Sequence, residues 1–183
     1  MDTQTIIYHT QIWLKEVVIG LNLCPFAGFP FRKKTIRYVV EESSEVDQML
    51  SAFKGEMDLL SATPATQIET TLLILPNGFA DFLDFNDFLY TANEALVAAD
   101  YEGELQVASF HPAYQFAGTE EEDVENYTNR APFPILHLLR EDSVEEAIES
   151  YENTDDIYLN NIKTMEALGR EGIKQLWHKF TNR

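Results

Sequence analysis

The chain has 183 residues, with 13 Lys and Arg against 31 Asp and Glu, for a formal net charge of −18. That is the length of one domain, and a 45% share of hydrophobic residues is enough to bury a core, which excludes a chain disordered throughout. Attachment to phosphate backbones or anionic membranes depends on Lys and Arg displacing counterions, so the charge argues against nucleic acid and membrane partners.

The single cysteine, Cys24, rules out an intramolecular disulfide and any zinc or iron–sulfur module built from cysteines. It points to a reducing, cytoplasmic compartment. The N-terminus lacks the basic start of a signal peptide, and residues 17–31, the longest nearly apolar stretch, are too few and too interrupted to span a bilayer.

Residues 3–20 predict an amphipathic helix, with Ile6, Thr10, Trp13, Val17 and Leu21 on one stripe and Asp2 or Thr3 as cap. Prolines 25 and 30 make the following stretch a loop that carries Cys24. Residues 35–40 predict a strand and 45–60 a helix capped by Ser43 or Ser44. A second pair follows, with a strand at 70–75 and a helix capped by Asp84 and running to Ala99. Residues 105–110 alternate as a third strand that ends at His111-Pro112.

Three strands separated by helices of crossover length predict parallel βαβ units. Thr119-Glu-Glu-Glu122 resembles a capping box, so a short helix reaching Arg130 is expected to carry the chain to a fourth, parallel strand at 135–139. Without that crossover, the strand is an antiparallel edge. Ser143 and Asp155 then start two helices, the second interrupted at Gly169 and Gly172 by a break or by close packing of another backbone. The expected architecture is a single α/β domain over residues 1–183, with a mainly parallel four-stranded sheet and helices on both faces.

Residues 17–40, 105–119 and 126–140 contain no Asp or Glu, yet they hold six of the thirteen basic residues: Arg32, Lys33, Lys34, Arg37, Arg130 and Arg140. Strands shed carboxylates in any case, but Arg32–Arg37 and the arginine beside two asparagines point to a basic pocket for a small carboxylate or phosphate. His111, at the carboxyl end of a core strand, sits where open α/β sheets keep ligand crevices; the alternative is an imidazole satisfied by loop carbonyls.

His137 shares a strand face with Ile135 and Leu139, as a ligand or as a hydrogen-bonded core residue. Asn126, Asn129 and Arg130 fall on one side of a helical turn. Cys24, with basic residues nearby, is the one strong nucleophile, or else a small buried hydrophobe. No phosphate-loop, dinucleotide, serine-elbow or zinc-motif fingerprint occurs, so cofactor and oligomeric state stay open and no metal is assigned.

Three stretches together carry a resemblance: Asn22-Leu-Cys-Pro-Phe-Ala27, Phe110-His-Pro-Ala-Tyr-Gln-Phe-Ala-Gly118, and Asn126-Tyr-Thr-Asn-Arg-Ala-Pro-Phe-Pro134 followed by Leu136-His-Leu-Leu-Arg-Glu141. The chain resembles the bacterial domain-of-unknown-function family 1415 along its whole length. The resemblance implies a soluble single-domain bacterial protein and assigns no reaction. Its recognisable positions are Cys24, Pro25, His111, Pro112, Asn126, Asn129, Arg130, His137 and Arg140, while Ala131 stands where a serine is expected.

The resulting expectation is an enzyme acting on a small anionic metabolite. Cys24 and His111 would be catalytic, and Asn126, Asn129, Arg130, His137 and Arg140 would bind. The alternative is a non-catalytic module that receives a small anion or a protein partner.

Overall fold

In a computed structural model, which describes residues 1–150 and 155–181, the Asp2 carboxylate accepts hydrogen bonds from the Thr5 amide at 3.0 Å and the Thr5 hydroxyl at 2.7 Å. This caps α1 (Thr3–Trp13) by satisfying a donor that a helix start leaves free. The helix then widens into a π turn, Leu14–Ile19. Gly20 closes it: a Cβ there would lie 2.4 Å from the Glu16 carbonyl oxygen, so only glycine fits. The predicted loop after it contains a short helix, α2 (Gly28–Lys33), ended by Lys34 in the left-handed region.

Five-residue strand β1 (Ile36–Val40) leads into α3 (Val46–Ala62), then β2 (Thr70–Ile74), α4 (Phe82–Ala98) and β3 (Leu105–Phe110). The cap of α4 is Asp81, which accepts from the Leu83 and Asp84 amides, rather than the expected Asp84. Between β3 and β4 (Ile135–Arg140), all of it described, the one helical segment is a five-residue 3-10 turn, Val124–Thr128. After it come α5 (Glu141–Glu149) and α6 (Asp155–Thr181). The expected end of α5 at Tyr151 lies outside the described residues. In α6 the helical path breaks at Gly169, with φ 64°; no other atom lies within 4 Å of a Cβ built there, so this is a break and not a close packing.

The strand order is β1-β2-β4-β3. β1 and β2 are parallel, but β4 runs antiparallel to both neighbours, β2 and β3. The expectation of a mainly parallel sheet is therefore corrected: the sheet is mixed, with one parallel pair and two antiparallel ones, and the fourth strand is neither parallel nor an edge.

The reason lies in the 111–134 connection. The His111 amide donates to Asn129 O at 3.3 Å, and Ala131 donates to His111 O at 3.4 Å, so the returning chain is pinned to the end of the sheet where β3 stopped. A connection that begins and ends at the same end of a sheet produces antiparallel neighbours. The expected helix that would have carried the chain back across a face is reduced to the 3-10 turn. β4 fills the gap between β2 and β3, giving a split βαβ arrangement around α4.

Alternation along the strands sends side chains to two cores. On the first face Leu72, Ile74 and Ile135 meet Ile6, Trp13 and Val17, together with Met165, Ile173 and Phe180 of α6. On the second face Leu73, Leu136 and Leu138 meet Met49, Phe53, Met57 and Leu60 of α3 and Phe85, Phe88, Ala92 and Leu96 of α4. Thr71, fully buried on this second face, has a hydroxyl with no hydrogen-bond partner among the described residues. Valine matches its shape without the desolvated hydroxyl, so Thr71→Val is expected to raise stability by about 1 kcal/mol, measured by urea unfolding. A loss of stability would mean that the hydroxyl is satisfied.

Candidate functional site

His111 stands at the carboxyl end of β3, against α4. Its Nδ1 accepts from the Ala113 amide at 3.1 Å. Because a backbone N–H can only donate, the ring proton is on Nε2, which donates to Phe79 O at 2.8 Å. Phe85 stacks on the ring at 5.2 Å between centroids, and Phe82 lies at 5.6 Å. Burial pushes the His111 pKa below its ordinary value, against smaller opposing effects of the Phe79 hydrogen bond and the Asp81 charge. Both nitrogens of this neutral imidazole are thus committed to the backbone around it.

The polar cluster at 126–130 organises the loop that carries it. Asn126 is fully buried. Its Oδ1 accepts from the Phe116 amide and the Thr119 hydroxyl, each at 2.9 Å, and its Nδ2 donates to Glu120 O at 2.8 Å. The buried Arg130 guanidinium donates to Tyr114 O at 3.1 Å and Glu121 O at 2.7 Å and lies over the Tyr127 ring, 4.4 Å from its centroid. Arg130 O in turn accepts from the Trp13 indole at 3.0 Å, which ties the loop to α1. The Asn129 Oδ1 accepts from the Thr128 hydroxyl at 3.1 Å. The acidic run 120–125 therefore meets Arg130 through one main-chain carbonyl, that of Glu121.

Arg140 performs a similar task elsewhere. Its Nη2 donates to Leu60 O at 2.7 Å, Thr63 O at 2.5 Å and Ile68 O at 3.0 Å, a cation at the negative end of α3. Its Nε is buried without a partner among the described residues. Arg37 is held by Glu56 in a two-bond pair, at 2.7 and 3.0 Å. Of the cations singled out in the sequence, Arg32, Lys33 and Lys34 are the exposed ones, side by side at the end of α2.

The sheet divides the predicted residues. Leu136, Leu138 and Arg140 face α3 and α4, the side on which His111 also packs. Ile135, His137 and Leu139 face the other way. Tyr38, Leu72, His137 and Ala108 form one row across this first face. Cys24, a free half-buried thiol, packs against the same core, and Tyr127 of the 126–130 turn packs on Trp177 of α6, 5.0 Å between centroids. The structure thus gathers Cys24, His137 and the 126–130 turn on one side of the sheet and leaves His111 and Arg140 on the other.

His137 has a determined tautomer. The Thr70 hydroxyl lies 2.7 Å from His137 Nε2 and 2.5 Å from Leu138 O. Its one proton goes to the carbonyl, so Nε2–H donates to Thr70 and Nδ1 keeps its lone pair. Burial of the ring pushes the pKa down to about 4. Around it Ile36, Tyr38, Gln106, Ala108 and Leu139 are all half-buried, and burial likewise raises the Tyr38 phenol to about 12. Sequence reasoning missed Tyr38 and Thr70. The signal was present in the period-two alternation that puts Tyr38 on one face with Ile36 and Val40.

A separate cavity of about 420 Å³ lies at the carboxyl ends of β1 and β2, lined by Met1, Ile6, Glu42, Pro76, Asn77 and Phe133. It contains none of the predicted residues. Among the described residues, no group of three or more His, Cys, Asp or Glu is placed to hold a metal ion, and no helix is long and apolar enough to cross a membrane.

Fold and site together define a mixed α/β protein with a hydrogen-bonded polar loop clamped at one end of the sheet and a half-covered sheet face beside it. The chain belongs to the family described as Protein of unknown function (DUF1415), whose model matches residues 5–175. No curated protein and no solved structure matches it.

Proposed function

We propose that the protein is a small-anion-binding module without turnover of its own, and that its ligand lies on the half-covered part of the first sheet face. The observation that carries the reading is the His137 tautomer: Thr70 fixes the ring, and Nδ1 offers one oriented acceptor among half-buried neighbours. A protonated acid group or hydroxyl of the ligand donates to Nδ1. The exposed cations Arg32, Lys33 and Lys34, on the helix that leads into β1, supply the attractive charge. Cys24 flanks the ligand. Asn126, Asn129, Arg130, Arg140 and His111 act by holding the loop and helix ends in position.

Binding fits better than catalysis by a Cys–His pair for a specific reason. Such a pair needs an imidazole poised near neutrality. The imidazole on the same side of the sheet as Cys24 has a pKa of about 4, and His111 has both ring nitrogens in use on the other side.

The test is titration of the full chain with inorganic phosphate and with malonate, following the His137 ring resonances by NMR and the rate of Cys24 alkylation. Saturable shifts at His137 and slower alkylation are expected, with affinity weakened by about tenfold or more in the Arg32→Ala/Lys33→Ala/Lys34→Ala variant. Absence of saturable binding by either anion, or binding that leaves His137 unmoved, would overturn the proposal.

A further inference from the structure

Among the described residues, one helix face has no partner. On α4, Leu83, Tyr90 and Val97 are spaced seven residues apart and are 70%, 66% and 53% exposed, while Phe85, Phe88, Ala92 and Leu96 of the same helix are buried. At 100° per residue the three lie within about 40° of one another, so they form a single stripe. Asn86 and Asn93 border it on one side and Asp87 and Glu94 on the other, all four exposed. The Glu94 carboxylate one turn on raises the Tyr90 phenol pKa, and the exposed Tyr90 ring adds apolar surface to the stripe.

From this pattern we infer that α4 is a self-association face, occupied by α4 of a second copy of this chain in parallel orientation. The borders are self-complementary, and in one direction only. When two such stripes face each other antiparallel, each border meets its own kind, and Asp87 and Glu94 confront the same carboxylates of the partner. In the parallel arrangement, related by a two-fold axis along the helices, the amide border of one copy meets the carboxylate border of the other. Asn86, and Asn93 with the Nδ2 proton left over from its bond to Leu89 O at 2.8 Å, then donate to carboxylates while Leu83, Tyr90 and Val97 pack on their counterparts.

One 17-residue helix face is smaller than the roughly 800 Å² per partner of a stable standard interface, so the dimer is weak and concentration-dependent. Two chains of charge −18 repel, and salt screens that repulsion without weakening apolar contact. Association therefore strengthens as salt is added.

Sedimentation velocity of the full chain over a range of concentrations, at low and high salt, tests this. A monomer–dimer equilibrium favoured by salt is expected, with Leu83→Glu/Val97→Glu weakening it by about tenfold or more. Both positions are exposed, so the variant keeps its fold, and thermal melting checks that it does. Asn86→Lys/Asn93→Lys is expected to tighten the dimer more than a charge-matched control on exposed positions of α1, Gln4→Lys/Gln11→Lys. In an antiparallel pair the same lysines would face each other and loosen it. A chain that stays monomeric throughout, leaving the stripe to some other partner, overturns the inference. So does a dimer indifferent to Leu83→Glu/Val97→Glu, or one loosened by the Asn86 and Asn93 lysines.

Discussion

Asn126→Ala is expected to destabilise the protein by about 3 kcal/mol. It leaves the partly buried Phe116 amide without its acceptor, at roughly 1–3 kcal/mol, and removes the bonds to the Thr119 hydroxyl and Glu120 O, at roughly 0.5–1.5 kcal/mol each. Those two groups keep a second partner, Phe116 O and the Asp123 amide, which holds the total toward the lower end of the sum. Asn126→Asp retains the acceptor for Phe116 and Thr119 but replaces the donor to Glu120 O with a carboxylate facing a carbonyl, so it is expected to rescue little. Urea unfolding measures the loss, and hydrogen exchange locates it. The Phe116 amide is expected to exchange much faster while amides of β2 keep their relative order. A loss below about 1 kcal/mol would mean that the loop holds its shape without this residue.

The same loop marks where sequence reasoning succeeded and where it stopped. Strand alternation is a local property, so residues 105–110 were legible as a strand, and Ile135, His137 and Leu139 were legible as one face. Strand direction is not local. It depends on where residues 129–131 rest against His111, through two backbone hydrogen bonds that leave no mark in periodicity.

The capping-box pattern at Thr119 was real as composition, but the Thr119 hydroxyl is spent on Phe116 O and Asn126 Oδ1 and starts no helix. The basic residues misled for a related reason. A guanidinium can be satisfied by main-chain carbonyls, which every residue supplies, so counting acidic side chains near Arg130 and Arg140 in sequence says nothing about whether their donors are free. Whether Cys24, His111 and His137 could share a cavity depended on side-chain parity across the sheet. That parity follows from the strand pattern for His137, but not for His111, which lies beyond the strand end.

The second large effect is a pH dependence carried by His137. Its imidazole has a folded-state pKa of about 4, against roughly 6.5 in an unfolded chain. Between those values the unfolded state binds more protons than the folded state, so stability rises with pH across that window. The contribution is fully present above the unfolded value and is lost as pH falls toward the folded one. A shift of this size corresponds to about 3 kcal/mol.

His111, also depressed by burial, acts with the same sign, and titrating carboxylates add their own dependence, so the wild-type curve alone does not isolate His137. His137→Gln does, because glutamine keeps an N–H for the Thr70 hydroxyl but has no proton to gain. The difference in unfolding free energy between wild type and His137→Gln is expected to be flat above pH 7 and to move against wild type by about 3 kcal/mol on descending to pH 4. His111 and the carboxylates, common to both chains, cancel in that difference. A difference that stays constant across the range would show that the ring protonates without cost in the folded state, and the Thr70–His137 bond would then not hold it neutral.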